Sequence, residues 1–268
     1  ECFADFITNG DKFYYALGGI KAVGYEAILN IVKERISNGK FESINDFINR
    51  VNPKDINKLQ LEGLVKAGAF DNIENNRNSL FNSIPNIILK SKNIFDNKLT
   101  NQIDLFGDKN KQDDVYLEDL DEWSVDIKLA KEFETLGFFI SDHPLNQYKS
   151  IFDQYNITDY DKFNNDININ NSNVACTVLK TQEKKTQKGN SYAIVKFSDL
   201  SSVFELFVFS DVFELNRDLL IEGNSLMITL AKNFTDGDKA QKKINIKKII
   251  SLKEVINKPI SEIKIKIN

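Results

Sequence analysis

The sequence predicts a multidomain chain, α in its first half and all-β in its second. Three observations predict it. Apolar residues recur close to every 3.6 positions through residues 1–95, the period of a helix with one buried face. From residue 170 to 250 they fall instead in short runs and alternations, separated by turn residues. Between these parts lie stretches too polar to bury a core. A chain of 268 residues suggests about two domains.

The helical part is justified element by element. Residues 25–36 carry apolar side chains at 25, 28, 29, 32 and 36, and Gly39 ends that helix. Ser43 is an N-cap for a short helix over 44–51. Pro53 suits the first turn of another, which carries Leu59, Leu61, Leu64 and Val65 and stops at Lys66-Ala67-Gly68. Asn75 or Asn76 caps a fourth helix with Leu80, Phe81, Ile84 and Ile87, ending near Leu89.

A helix, a tight Gly turn and a second helix occur twice, at Ala22-Val23-Gly24 beside Lys21 and at Ala67-Gly68-Ala69 beside Lys66. This is tandem helix-hairpin-helix logic. Glycine permits the turn. The turn's N–H groups and the following helix N-terminus then make an anion site that suits a DNA phosphate. Lys21, Ala22, Val23, Gly24, Lys66 and Gly68 are therefore candidate DNA contacts. Two ordinary helical hairpins are the alternative, and Ala22 stands where such turns usually have their first glycine.

Residues 92–99 and 108–114 are dominated by Lys, Asn, Asp and Gln. Between them stands Asn101-Gln-Ile-Asp-Leu-Phe-Gly107, with Ile103, Leu105 and Phe106 close together. An apolar pair in so polar a linker needs a partner. The pattern Gln-x-x-Leu-Phe is that of short peptides that dock on ring-shaped DNA sliding clamps. The Gln102 amide both donates and accepts hydrogen bonds at a pocket mouth. Leu105 and Phe106 would fill the pocket, at roughly 1.5–3 kcal/mol each if fully buried. The alternative is that the pair tucks back onto this chain's own helices.

Net charge is −4, unevenly spread: residues 101–165 hold 6 Lys/Arg against 15 Asp/Glu, while 166–268 hold 16 against 12. A protein that wraps duplex DNA would be more basic overall. Local contacts to nucleic acid remain compatible with this balance. No run of 18 apolar residues occurs, so no membrane span is expected. Two distant cysteines make neither a disulfide framework nor a zinc site, and a reducing cytoplasm fits. The start at Glu1 and the end at Asn268 suggest a fragment of a longer chain.

Asp119-Leu-Asp121 and Asp236-Gly-Asp238 have the carboxylate spacing of a metal-binding polymerase strand. The first lies in a run of acids without flanking strand residues, and the second sits where a hairpin turn is needed. Neither is read as catalytic. A helix is expected over 125–136, with Leu129 and Phe133 on one face and Gly137 as its cap. His143, the only histidine, precedes Pro144 and has no second base, nucleophile or ligand near it in sequence. It reads as a structural turn residue. No catalytic or metal-binding residue is assigned within the chain.

In the second half, strands are expected over 174–179, 192–197, 203–209, 225–231 and 242–250, with a short helix over 211–220. Five strands with a helix after the third is the order of an OB-fold barrel. Such barrels bind single strands through a basic groove and aromatic stacking. Lys184, Lys185 and Lys188 cluster on the loop joining the first two strands, and Tyr192 stands just beyond it. The four are candidate DNA contacts. Phe197, Phe204, Phe207 and Phe209 read mostly as core, though alternation makes Phe204 and Phe207 face opposite ways.

In this order the motifs are specific. The stretch Gly18 to Gly24, the linker peptide Gln102-Ile-Asp-Leu-Phe106, and Leu136-Gly-Phe-Phe-Ile-Ser-Asp-His-Pro-Leu145 precede a barrel with Thr186-Gln-Lys-Gly189. The chain closely resembles the C-terminal part of the bacterial replicative DNA polymerase III alpha subunit family. The resemblance implies a segment that follows the fingers, with the PHP domain and catalytic palm upstream. It also implies a domain downstream that contacts the clamp-loader tau subunit. The parent would be a nucleotidyltransferase using Mg²⁺ and dNTPs, with the sliding clamp, primer-template and single-stranded DNA, and other holoenzyme subunits as partners. Gln102, Leu105 and Phe106 carry over as clamp anchors, with Ile103 and Asp104 as spacers.

The expected domains are 1–95 (tandem helix-hairpin-helix), 96–122 (polar linker with the clamp peptide at 102–106) and 123–165 (helical connector with the His-Pro turn). An OB-fold domain over 166–252 and a tail over 253–268, leading to a further domain, complete the set. The rival readings are a free-standing OB-fold repair or tRNA-binding factor and a purely structural scaffold.

Overall fold

The computed structural model describes residues 2–100, 114–187, 189–234 and 242–257. It divides into two compact units, 1–141 and 142–268. The first opens with a small hairpin, β1 (Ile7–Asn9) and β2 (Lys12–Tyr14), turning at Gly10, whose φ is +60°. Strands of three residues display no period, so this hairpin was not legible in the pattern.

Helices α1 (Tyr25–Asn38) and α2 (Ile44–Arg50) follow the expected bounds closely. Ser43 caps α2: its Oγ accepts from the Asp46 N–H at 3.0 Å. The single helix expected from Pro53 is two pieces. Pro53–Asp55 is a 3₁₀ turn, and α3 (Lys58–Lys66) starts afresh at a capping box between Asn57 and Gln60. The fourth expected helix is likewise split, into α4 (Arg77–Asn82) and α5 (Ile84–Thr100). Pro85 lacks an N–H and its ring would meet the Phe81 carbonyl of a continuous helix. Ile28, Phe47, Ile48, Leu64, Leu80 and Ile84 form the heart of this unit's core.

Two expected boundaries move. Helix α5 runs past residue 95. The acidic stretch before Trp123 is not a free linker but a strap laid on the helices. The Val115 N–H donates to Asn45 Oδ1 at 2.8 Å, and the Glu118 N–H to Ser83 Oγ at 2.8 Å. Asn76 and Asn78 side-chain amides donate to the Leu120 and Asp121 carbonyls. Val115, Leu117 and Trp123 pack on the core. Composition made this stretch look solvated; side-chain hydrogen bonds from α2 and α4 hold it instead. Helix α6 (Val125–Leu136), ended by Gly137 at φ +80°, also belongs to the first unit. The expected connector is thus divided at residue 141.

The second unit begins with a 3₁₀ helix, Pro144–Ile151, and α7 (Tyr160–Asn165). Its five strands are β3 (Asn171–Lys185), β4 (Ser191–Ser198), β5 (Val203–Val208), β6 (Ser225–Phe234) and β7 (Lys242–Ser251). They form one antiparallel sheet in the order β5-β4-β3-β6-β7. The long β3 pairs with β6 over 171–177 and with β4 over 177–185, and a register shift between Val178 and Lys180 marks a bulge that bends it. Helix α8 (Ser210–Asn216) lies between β5 and β6 in sequence and buries Phe213 in the sheet's core. This is an OB-like order. The ladders among the described residues do not pair β5 with β7, but the two edge strands lie against each other, consistent with the expected OB-like domain. Leu145, Tyr148 and Ile151 pack with Leu252 and Val255, the latter two on α9 (Leu252–Ile256). The sheet unit therefore takes in both the His-Pro segment and the start of the expected tail. Among the described residues no helix is long and apolar enough to cross a membrane.

Candidate nucleic-acid interface

The first turn differs in detail from the expectation and keeps its openness. The residue with positive φ is Ala22 at 65°, whereas Gly24 has an ordinary φ of −73°. An alanine in the left-handed region costs about 1 kcal/mol. The turn is held there by bonds around it: Val23 N–H to the Ile20 carbonyl and Lys21 N–H to the Thr135 carbonyl, each 3.1 Å. Buried Val23 seats against α3 at Gly63, where a Cβ would lie 2.8 Å from Val23 Cγ2. Gly24 serves close approach rather than torsion, since a Cβ would lie 3.1 Å from Gln60 Nε2. It is also the N-cap of α1, with no side chain capping the helix. Helix α1 therefore presents backbone N–H groups and the positive end of its dipole beside exposed Lys21.

The second turn is filled by the chain itself. Gly68 is left-handed at φ +73°, and a Cβ there would sit 2.2 Å from Arg77 Nη2. The Ala69 N–H bonds the Leu64 carbonyl at 2.9 Å, which caps α3 in Schellman fashion. Irregular turns follow, and α4 begins only at Arg77. The α4 N-terminus is already satisfied: Arg77 and Asn78 N–H groups donate to Glu122 at 3.1 and 3.3 Å, and the Ser79 N–H to Asn76 Oδ1 at 2.9 Å. Burial pushes the Glu122 carboxyl up, but the Arg77 and Trp123 N–H groups outweigh it and hold it below the usual range. The Gly68 turn and the α4 N-terminus are thus filled by the chain's own Arg77 and Glu122.

Arg77 is the hub of that filling. It binds Asp71 through two nitrogens at 2.8 and 2.6 Å and Glu132 through a third at 2.8 Å. Glu132 is fully buried and also accepts from the Ile140 and Ser141 N–H groups at 2.8 and 2.9 Å and from the Ser141 hydroxyl. Burial raises its carboxyl, and these donors bring it below the usual range. The Ser of the Leu136–Leu145 stretch thus closes a buried charge network.

The Lys66 side chain reaches α6 and α4. Its Nζ donates to Glu134 Oε1 at 3.0 Å. Lys66 and Lys131 both lie over the Phe81 ring, at 5.7 and 5.6 Å from its centroid. Lys131 was not singled out from sequence, because only the fold brings α6 beside α3.

In the second unit, Lys184 and Lys185 lie on β3 itself rather than on the loop, and both are exposed. Lys184 pairs across with Tyr192 and shares its face; Lys185 pairs with Ser191 and faces the other way. Lys188 lies outside the described residues. The face of Lys184 and Tyr192 is the outer one, since Ala193, Val195 and Phe197 of β4 are all buried. Lys180, Lys196, Ile194 and Phe207 share it through the registers Lys180↔Lys196, Gln182↔Ile194 and Ile194↔Phe207. Phe207 is 56% exposed while Phe204 is buried, as alternation required. Of the four phenylalanines read mostly as core, Phe197 and Phe204 are buried and Phe207 and Phe209 are exposed. The clamp peptide, Gln102, Ile103, Asp104, Leu105 and Phe106, also lies outside the described residues.

His143 is structural, as its context indicated. Its Nδ1 accepts from the Leu145 N–H at 3.2 Å and its Nε2 lies 3.1 Å from Ser198 Oγ. Burial pushes the imidazole below its ordinary pKa, against the weaker pull of Asp199 and Asp142. The unfolded chain therefore takes up the proton first as pH falls. The contribution is complete above about pH 6.5, the unfolded value, and is lost as pH falls through the folded one. Stability in that window is expected to drop by up to about 1.4 kcal/mol per pH unit. Urea midpoints between pH 7.5 and 5 test this, with His143→Asn, a non-titrating cap, expected to flatten the dependence.

Comparison with known proteins bears on both units. Residues 1–80 match the family model of the helix-hairpin-helix motif. A DNA polymerase III subunit alpha of Borreliella burgdorferi is 30% identical over 272 residues, covering 98% of this chain and 23% of that protein. The chain is homologous to the C-terminal part of DNA polymerase III alpha subunits. The Rickettsia prowazekii subunit is 31% identical over 94% of the chain, and that of Rickettsia bellii 34% over 80%. The chain spans 23%, 21% and 18% of these three subunits' lengths.

Proposed function

We propose that this chain is the DNA-guiding and processivity segment of a replicative DNA polymerase III alpha subunit, acting in the cytoplasm. The contrast between the two turns carries the reading. One is packed with the chain's own Arg77 and Glu122, and the other leaves the α1 N-terminus uncapped beside Lys21. The open turn takes a duplex phosphate. The outer face of β3, β4 and β5 takes single-stranded template, with Tyr192 and Phe207 as stacking surfaces and Lys180, Lys184 and Lys196 along the backbone. Gln102, Leu105 and Phe106 tether the polymerase to the sliding clamp. A weak peptide suffices there, because tethering on one DNA raises the effective concentration to about millimolar.

Nucleotidyl transfer with Mg²⁺ and dNTPs is assigned to the rest of the parent polymerase. Relatives that align across both units favour this reading over a free-standing OB-fold factor.

Binding of the whole chain to a labelled primed template at several salt concentrations tests it. Lys21→Ala is expected to lower duplex affinity and to make the salt slope shallower by about 0.9, one phosphate's worth. Gly24→Val is expected to weaken duplex binding several-fold, by bulk at the turn. Tyr192→Ala with Phe207→Ala is expected to weaken a single-stranded probe by about 1–3 kcal/mol per base unstacked. Unchanged affinities and slopes in all three folded variants would reduce both surfaces to packing.

A further inference from the structure

We propose that Glu134 is an internal stand-in for a DNA phosphate, which holds a cluster of Lys21, Lys66 and Lys131 in place until duplex DNA displaces it. The inference rests on the reading that the first turn binds duplex. It adds a phosphate contact, Lys131, and a regulator of the same site, Glu134.

The geometry comes from α6. Its Thr135 carbonyl accepts the Lys21 N–H, so the last turn of α6 is bonded directly to the hairpin turn. The residue before it, Glu134, receives Lys66 Nζ at 3.0 Å. Lys131 lies one helical turn earlier on the same helix and shares the Phe81 ring with Lys66. The Lys66 ammonium therefore meets the Glu134 carboxylate directly, with Lys131 beside it over the same ring and Lys21 bonded through its backbone to the next residue of α6. Lys66 pulls the Glu134 carboxyl below its usual range, with Lys131 and Lys21 adding to the effect.

Two features argue that the carboxylate is there for the lysines and not for the helix. A negative charge in the last turn of a helix opposes the macrodipole. And the partners are unequally exposed: the Lys66 side chain is 14% exposed and that of Glu134 55%. The lysine is ordered along the protein surface, its ammonium against an aromatic ring. The acid stands in water and can swing out at little cost, since a solvent-exposed pair is weak. A phosphodiester carries the same single negative charge. It would meet Lys66 and Lys131 side chains already positioned against the Phe81 ring.

The test is duplex binding by the whole chain across a salt series, with fluorescence anisotropy of a labelled duplex. Glu134→Gln keeps the shape and removes the competitor. Affinity is expected to rise about three- to tenfold, and the salt slope to steepen by about 0.9, as one more lysine becomes available to phosphate. Lys131→Ala is expected to lower affinity several-fold with a shallower slope. Asp119→Asn, an equal change of net charge elsewhere, is expected to change affinity by less than about twofold. If wild type binds duplex but Glu134→Gln matches it in affinity and slope, the inference fails and the wider reading stands. It fails also if Asp119→Asn gains as much, or if Glu134→Gln only lowers the thermal midpoint. If wild type binds no duplex, both readings fall.

Discussion

Replacing Arg77 with alanine is expected to destabilise the first unit by about 3–5 kcal/mol, the usual cost of leaving a buried charge without its partner. The side chains of Arg77 and Glu132 are 4% and 0% exposed. With Arg77 gone, Glu132 keeps the Ser141 and Ile140 donors but faces no cation. Asp71 loses both of its guanidinium bonds, and the Lys66 carbonyl loses the contact that Arg77 Nη1 makes at 3.3 Å. Typical domains have only about 5–15 kcal/mol in hand. The single tryptophan makes the measurement clean: Trp123 packs edge-on against Phe81 at 5.5 Å within the first unit, so its fluorescence in urea reports that unit. A loss below about 1 kcal/mol would show that water reaches Glu132 and that the network is not a stabilising hub. Combining Arg77→Met with Glu132→Leu is expected to recover most of the loss, since paired charges exchanged for apolar groups can be close to neutral. Gly68→Ala should fail for the neighbouring reason, a Cβ driven into the guanidinium. It should lower stability without altering duplex affinity per folded molecule.

Changing Gln102, Leu105 and Phe106 together to alanine is expected to abolish binding to the cognate sliding clamp. Two buried apolar anchors at roughly 1.5–3 kcal/mol each amount to about 3–6 kcal/mol, a factor of about 10²–10⁴ in Kd. Loss of the glutamine amide removes the hydrogen bonds that orient the peptide. The same triple variant should keep the Trp123 unfolding midpoint of wild type, because anchors that serve the clamp contribute nothing to this chain's own core. Clamp affinity is measured by surface plasmon resonance with immobilised clamp. An unchanged Kd would sink the clamp assignment. A lowered unfolding midpoint would instead favour Leu105 and Phe106 as part of this chain's own packing.

Much of the architecture was legible in the sequence because it depends on local chemistry. The caps at Ser43 and Gly137 are one-residue decisions, made by a hydroxyl or by a missing Cβ. Strand alternation put Phe204 and Phe207 on opposite faces, as they are. The five-strand order, with its helix before β6, followed from the change of period. His143 before Pro144 read as a turn residue and serves as one.

What only the tertiary structure decided concerns which polar groups are already occupied. Nothing in Ala67-Gly68-Ala69 announces that Arg77 fills the turn, or that Glu122, over forty residues on, caps α4. The two hairpins look alike in sequence because their turns are alike; they differ in what the rest of the chain brings to them. The acidic strap looked solvated because its acids are visible and the Asn45, Asn76, Asn78 and Ser83 groups that hold its backbone lie far upstream. Lys131 and Glu134 joined Lys66 only when α6 docked beside α3. A hydrogen bond or ion pair between distant residues leaves no period and no spacing in the chain, because its partners are selected by the packed core and not by their neighbours in sequence.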